Sequence, residues 1–202
     1  MKHITISEVG PRDGLQSVET TLSTEAKLAW IEAEYGAGVR EIEVGSFVSP
    51  KLLPQMADTE AVVRGAQHLE GLIIAVLVPN VRGFESALRA GAHKISIPLS
   101  LSETHSLKNV RRTHAQMLDE IRSCLKLVKA MPESEKPVFE VGLSTAFGCT
   151  LEGVVPESFV VELAERVLDL GVADVGLYDT TGMGDPAPLE RLLTSIWQRC
   201  GG

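Results

Sequence analysis

Three stretches of this chain repeat one another, and the repeat restricts the folds open to it. Gly36-Ala37-Gly38-Val39-Arg40-Glu41-Ile42-Glu43, Ala90-Gly91-Ala92-His93-Lys94-Ile95-Ser96-Ile97 and Leu170-Gly171-Val172-Ala173-Asp174-Val175-Gly176-Leu177 each read as a helix end, a glycine stop and a short strand. Glycine stops a helix well because it enters the left-handed backbone region without a Cβ clash. Between the first two copies, residues 72–78 form a continuous branched-aliphatic run, LIIAVLV, of the kind a parallel strand shows when both of its faces are buried. Repeated units of this type select a parallel α/β architecture with right-handed crossovers.

The other elements follow from periodicity and punctuation. Strands are predicted at 4–8, 39–44, 72–78, 93–98, 138–143 and 173–177. The first of these alternates apolar and polar residues until Gly10-Pro11 stops it. Helices are predicted after each strand. Leu28, Ile31 and Tyr35 mark the first, and helices at 58–68 and 82–90 follow. A long amphipathic helix carries Met117, Ile121, Cys124, Leu125 and Val128 on one face, and another opens at Pro156 with Val160, Leu163, Ala164, Val167 and Leu168 in one stripe. Asp185-Pro186 caps a last helix running towards Arg199, and residues 99–107 read as a loop.

Polar clusters fall after strands one, two, four, five and six. Loops at one end of a ring of strands require that distribution, whereas a doubly wound open sheet would gather them at a single switch point. A (β/α)8 TIM barrel is therefore expected, with about six βα units present. A complete barrel takes about 250 residues, so the 202 residues are expected to form a single, incomplete domain, 1–202, lacking strands seven and eight. Strands one and six would then be open edges, and open edges recruit other strands. Association, as a homo-oligomer, is expected.

Composition excludes several partners. A formal net charge of -8 disfavours nucleic acid and anionic membrane surfaces, and the longest apolar run is too short to span a bilayer. Cys124, Cys149 and Cys200 are odd in number, widely spaced and without a CxxC pair, which fits a reducing cytoplasm.

Chemistry concentrates in Ser7-Glu8-Val9-Gly10-Pro11-Arg12-Asp13-Gly14-Leu15-Gln16, at the C-terminal mouth of the first strand. Cleaving a carbon–carbon bond beside a carbonyl builds negative charge on an enolate oxygen, which a fixed arginine stabilises; an aspartate there offers a divalent cation a hard oxygen ligand. Arg12 and Asp13 suit those roles, and ordinary turn residues are the plain alternative.

The string EVGPRDGLQ, Glu8 to Gln16, closely resembles the opening signature of 3-hydroxy-3-methylglutaryl-CoA lyases, metal-dependent TIM-barrel lyases. Related pyruvate-condensing synthases usually carry RDGEQ there, so Leu15 favours the lyase branch. The resemblance continues through SFVSPKLLPQM (Ser46 to Met56), SETHSLKN (Ser102 to Asn109), STAFGCTLEG (Ser144 to Gly153) and YDTTGMGDP (Tyr178 to Pro186). It implies cleavage of 3-hydroxy-3-methylglutaryl-CoA to acetyl-CoA and acetoacetate with Mg²⁺ or Mn²⁺. By the same resemblance Asp13 is a metal ligand, Arg12 stabilises the enolate, and Glu43 orients that arginine or assists proton transfer. Gln16, Ser46, Asp179 and Thr180 complete the polar floor of an acyl-CoA thioester site.

Alternatives stand beside these roles: a structural ion pair for Glu43, a strand-end hydrogen bond for Ser46, a turn brace for Asp179. Lys108, Arg111 and Arg112 suit either coenzyme A phosphates or a solvated helix start. The family's His-x-His metal pair is missing, since none of His3, His68, His93, His105 and His114 forms it, and so is its catalytic cysteine loop. Cys149 lies in a different motif and carries no catalytic role. Thr150-Leu151 replaces a frequent Pro-Tyr pair and His105 a frequent Phe, which leaves the exact acyl-CoA open. The alternatives to the lyase are an enzyme that cleaves or condenses a related 3-hydroxyacyl-CoA, and a non-catalytic barrel fragment acting through association.

Overall fold

The computed structural model describes residues 4–200; His3 and Gly201-Gly202 lie outside them. Two compact units divide the chain, Met1–Ser96 with Pro132–Val138, and Ile97–Met131 with Phe139–Gly202. The strands are β1 (Ser7–Glu8), β2 (Glu41–Ser46), β3 (Ile73–Leu77), β4 (Lys94–Ser100), β5 (Val138–Ser144) and β6 (Asp174–Tyr178). The helices are α1 (Thr24–Gly36), α2 (Thr59–Ala66), α3 (Val81–Ala90), α4 (Glu103–Asn109), α5 (His114–Lys129), α6 (Glu157–Asp169) and α7 (Pro186–Cys200).

In the first unit β1, β2, β3 and the start of β4 are neighbours in chain order, all parallel. In the second, the rest of β4 is followed by β5 and β6, and β5 pairs β6 in parallel from Glu140↔Asp174 to Ser144↔Tyr178. Neighbours that follow chain order leave no switch point in either unit, which sets aside the doubly wound alternative.

Several boundaries differ from expectation, for local reasons. The strand expected at 4–8 is reduced to Ser7–Glu8, and Ile4 and Ile6 are 91% and 79% exposed. Ser7 pairs with Glu41, the first residue of β2, so residues 4–6 run past the start of the one strand that β1 pairs with among the described residues. β2 itself lies two residues later than predicted, which makes Ser46 its last residue. Residues 99–107, expected as loop, hold the end of β4 and the start of α4. Ser102 caps that helix by accepting a hydrogen bond from the His105 N–H at 3.1 Å.

The first unit's core gathers Ile42, Val44, Ile74, Val76 and Phe84; the second's gathers Met117, Ile121, Val141, Leu143 and Val160. Helix α1 departs from its predicted stripe, because its fully buried residues are Lys27 and Ile31, with Leu28 and Tyr35 only half-buried. The Lys27 ammonium donates to the Gln55 carbonyl at 2.6 Å and to Asp58, whose other oxygen accepts from the Thr24 hydroxyl at 2.7 Å. A buried cation holds its charge only when paired and hydrogen-bonded. This clamp ties α1 to the segment between β2 and α2.

Substituting Lys27→Met keeps the apolar stem and strands Asp58, so urea unfolding should show a loss of about 3 kcal/mol, the usual cost of breaking a buried pair from one side. A loss below about 1 kcal/mol would mean the clamp is dispensable.

Candidate active site

In the first unit the site is built on the turn that ends β1. Gly10–Gly14 forms one π-helical turn in which the Arg12 and Asp13 N–H groups both donate to the Val9 carbonyl, at 3.1 and 2.7 Å. Such wide turns are frequent at functional sites. Glycine at position 10 makes room for its neighbours: a Cβ there would lie 2.7 Å from Glu8 Oε1 and 3.0 Å from the Trp30 ring, and Gly10 N donates to that same oxygen at 2.6 Å.

The turn directs Arg12 inwards. Its guanidinium is buried, with Nη1 donating to Asp13 Oδ1 at 2.7 Å and Nη2 to Glu43 Oε2 at 2.8 Å. Gln16 Nε2 donates to the same Asp13 oxygen at 3.0 Å. The structure therefore brings together Arg12, Asp13, Gln16 and Glu43. Arg12 Nε is buried without a hydrogen-bond partner among the described residues, as is the hydroxyl of Ser46 at the end of β2. Donors left unsatisfied in an otherwise paired cluster are costly unless a ligand takes them.

Ser46 is held through its backbone by Thr59. The Thr59 hydroxyl accepts from Ser46 N at 3.2 Å and lies 3.1 Å from the Ser46 carbonyl and 2.8 Å from the Met56 carbonyl. The sheet register shifts between Glu43 and Gly45, and a Cβ at Gly45 would fall 2.5 Å from the Thr59 hydroxyl. The bulge and the close approach re-aim the strand end, as bulges beside functional sites do.

In the second unit the polar residues also gather where β4, β5 and β6 end. Thr145 follows β5 with φ +60, an uncommon and costly conformation for a β-branched residue. Its N–H donates to Thr180 Oγ1 at 2.9 Å, and its Oγ1 accepts from Ser102 N at 3.2 Å and lies 3.2 Å from Ser100 Oγ. His105 Nδ1 lies 3.0 Å from that serine hydroxyl. Burial holds the His105 ring below its ordinary pKa. Sequence reasoning missed Ser100 and Thr145 as polar site residues; a Ser-Thr pair straight after a strand was the available signal.

Asp179 accepts Met183 N at 2.9 Å and Gly184 N at 3.0 Å, one on each oxygen. The predicted substrate contact thus also braces the turn that follows β6. Cys149 is fully buried, and its neighbour Glu152 is held below the usual carboxylate range by hydrogen bonds from Thr104. Arg112 reaches Glu120 at 3.3 Å, which ties one of the three predicted phosphate-facing cations to α5.

A divalent ion would find one half-exposed carboxylate, Asp13, with one of its oxygens already hydrogen-bonded. Among the described residues no group of three or more His, Cys, Asp or Glu side chains is placed to hold a metal. One carboxylate does not satisfy a cation that takes six oxygen ligands. The described residues do not by themselves fit a divalent centre.

With this geometry in view, comparison with known proteins is decisive. The HMGL-like family model matches residues 3–201. The chain belongs to the HMGL-like family. It is 37% identical over 198 residues to hydroxymethylglutaryl-CoA lyase YngG of Bacillus subtilis, covering 98% of this chain and 65% of that protein. To the mitochondrial hydroxymethylglutaryl-CoA lyase of Homo sapiens it is 35% identical, covering 98% of this chain and 59% of that protein. A human relative described as cytoplasmic also matches, at 35%.

Among solved structures, an HMG-CoA lyase from Acinetobacter baumannii in complex with coenzyme A and 3-methylmalate superposes with a TM-score of 0.89 at 35% identity, over 96% of this chain and 62% of that one. The Bacillus subtilis HMG-CoA lyase gives 0.89 at 36% identity, over 98% and 65%. The fold class is that of the TIM barrel, with six βα units in this chain. The chain spans 59% to 65% of the length of these two curated lyases.

Mn²⁺ titration of this chain followed by electron paramagnetic resonance should show no saturable binding below about 1 mM, because only one carboxylate ligand is offered. Saturation at micromolar Mn²⁺ would show that the described residues make a metal centre after all.

Proposed function

We propose that this chain carries the substrate-activating part of a lyase that cleaves 3-hydroxy-3-methylglutaryl-CoA to acetyl-CoA and acetoacetate. The observation that carries the reading is the buried Arg12, fixed by Glu43 and Asp13 and holding an Nε–H that has no partner among the described residues. The family membership and the coenzyme A complex of a relative support the substrate class.

The reaction starts as the 3-hydroxyl of the substrate loses its proton and the bond between C2 and C3 breaks. C3 becomes the ketone of acetoacetate. The electron pair moves into the thioester, whose oxygen becomes an enolate, and C2 then takes up a proton to give acetyl-CoA. Arg12 supplies fixed positive charge to that oxygen, and charge in place before the reaction needs no reorganisation during it. Glu43 sets the plane of the guanidinium through its 2.8 Å hydrogen bond, which favours orientation over proton transfer as its role.

In the first unit Gln16 and Ser46 contribute polar contacts to the acyl portion; Asp179 and Thr180 are carried as substrate-binding residues by the family resemblance alone. The Ser46 hydroxyl is suited to this by being buried and unpartnered among the described residues. Asp13 would offer one oxygen ligand to a divalent ion, Mg²⁺ or Mn²⁺, whose other ligands the described residues do not supply; such an ion would add Lewis-acid charge.

In the active enzyme, Arg12→Met should lower kcat by about 10² to 10³ with a much smaller change in KM, since removing one such donor costs that much in the transition state. Acetyl-CoA release measured under saturating Mg²⁺, with 3-hydroxy-3-methylglutaryl-CoA set against other 3-hydroxyacyl-CoA thioesters, tests the role and the substrate together. Unchanged kcat would remove Arg12 from the mechanism, and faster cleavage of another thioester would replace the substrate.

A further inference from the structure

His105 is placed by more structure than an exposed helix residue requires. Its N–H is held by the Ser102 hydroxyl at the start of α4, and its ring Nδ1 by the Ser100 hydroxyl at the end of β4. Ser100 and Thr145 are buried, and the two hydroxyls lie 3.2 Å apart. Thr145 holds the costly φ of +60, and its hydroxyl oxygen is anchored by the Ser102 N–H. Two buried hydroxyls and one strained backbone thus converge on a single half-buried imidazole. Arrangements of this kind persist at functional sites, where the first contact residue is locked by those behind it.

One direction of these hydrogen bonds leaves every hydroxyl proton with a partner. Thr145 Oγ1 accepts from the Ser102 N–H, and the acceptor available to its own proton is Ser100 Oγ. Were Ser100 to donate to Thr145 instead, the buried threonine proton would be left unsatisfied, which costs about 1 to 3 kcal/mol. Ser100 then receives from Thr145, and the acceptor placed for its own proton is His105 Nδ1. An imidazole that accepts at Nδ1 carries its proton on Nε2. Nε2 has no partner among the described residues and is not among the buried unpartnered atoms, so its N–H faces outwards.

We propose that His105 is a substrate-binding residue: the Ser102–Thr145–Ser100 relay fixes its neutral Nε2–H tautomer, and Nε2–H donates to a carbonyl or carboxylate oxygen of the acyl-CoA. The inference rests on the proposed function and adds a residue to it. It places the contact at the C-terminal end of β4, the end of the strands on which barrels of this class build their sites. The depression of the ring's pKa by burial agrees, because a charged ring would have to donate at Nδ1 and turn the Ser100 hydroxyl against the relay. An uncharged donor can serve a carbonyl of the pantetheine arm as well as an oxygen of the acyl group.

The test uses this chain with nitrogen-15-labelled histidine, and calorimetric titration with 3-hydroxy-3-methylglutaryl-CoA and with free coenzyme A. The ligand-free chain should show the Nε2–H tautomer at His105, and the thioester should move the Nε2 resonance saturably. Because a neutral hydrogen bond is worth about a factor of ten, His105→Phe should weaken thioester binding about tenfold, while His105→Gln, which keeps an N–H donor, stays within about threefold. Thr145→Val should release the relay and populate the Nδ1–H tautomer. A loss seen with free coenzyme A as well would place the acceptor on the pantetheine arm, and a loss confined to the thioester would place it on the acyl group. An Nδ1–H tautomer in the wild-type chain, or a Phe variant that binds the thioester as tightly as wild type, would overturn the inference and leave the lyase reading standing. Absence of thioester binding by the wild-type chain would overturn both.

Discussion

The first unit's chemistry depends on one buried guanidinium. Arg12 is taken out of water by the turn that ends β1, and carboxylates from two different places meet it, Asp13 from the same turn and Glu43 from β2. An uncompensated buried charge costs several kcal/mol, so the turn and the strand have to arrive together. Much of the surrounding structure can be read as the means of that arrival. The missing side chain at Gly10 leaves room for Glu8 and Trp30 against the turn, the bulge at Glu43 and Gly45 sets the strand end, and Thr59 grips the Ser46 backbone.

Further from the site, the same economy recurs with a lysine. Lys27 carries a charge into the first unit so that Gln55, Asp58 and Thr24 are fixed on one point. The segment between β2 and α2, which follows Ser46, is thus pinned at its far end by an ion pair and at its near end by a threonine hydroxyl. Neither device involves the reacting groups, yet both limit how far Ser46 and Glu43 can wander. Catalytic constellations lose rate steeply when their support loosens, which gives such remote anchors a functional consequence.

What the residues disclosed in advance follows from which forces are local. Parallel strands buried on both faces announce themselves in runs such as 72–78, and glycine stops before strands mark the repeat, so the βα order was legible. The cluster of Arg12, Asp13, Gln16 and Glu43 was legible through the EVGPRDGLQ motif. Lys27 was not, because its partners lie 28 and 31 residues away and helical periodicity treats lysine as a surface residue. Helix α4 went unread although Ser102 is a good cap, since its seven residues are too few to show a period. Ile4 and Ile6 misled in the opposite direction: their alternation suits a strand, but a ladder needs a partner, and β2 starts only at the residue opposite Ser7. Thr145 was hidden because no residue preference signals a left-handed threonine.

The central claim is that Arg12 and Glu43 form one buried, mutually dependent pair on which the site is built. A double-mutant cycle of Arg12→Met and Glu43→Gln, with stability measured by urea unfolding, tests it directly. Each single change should destabilise strongly, and the double variant should recover about 2 kcal/mol relative to their sum, the coupling expected of contacting buried charges. Additivity of the two changes to within about 0.3 kcal/mol would contradict it.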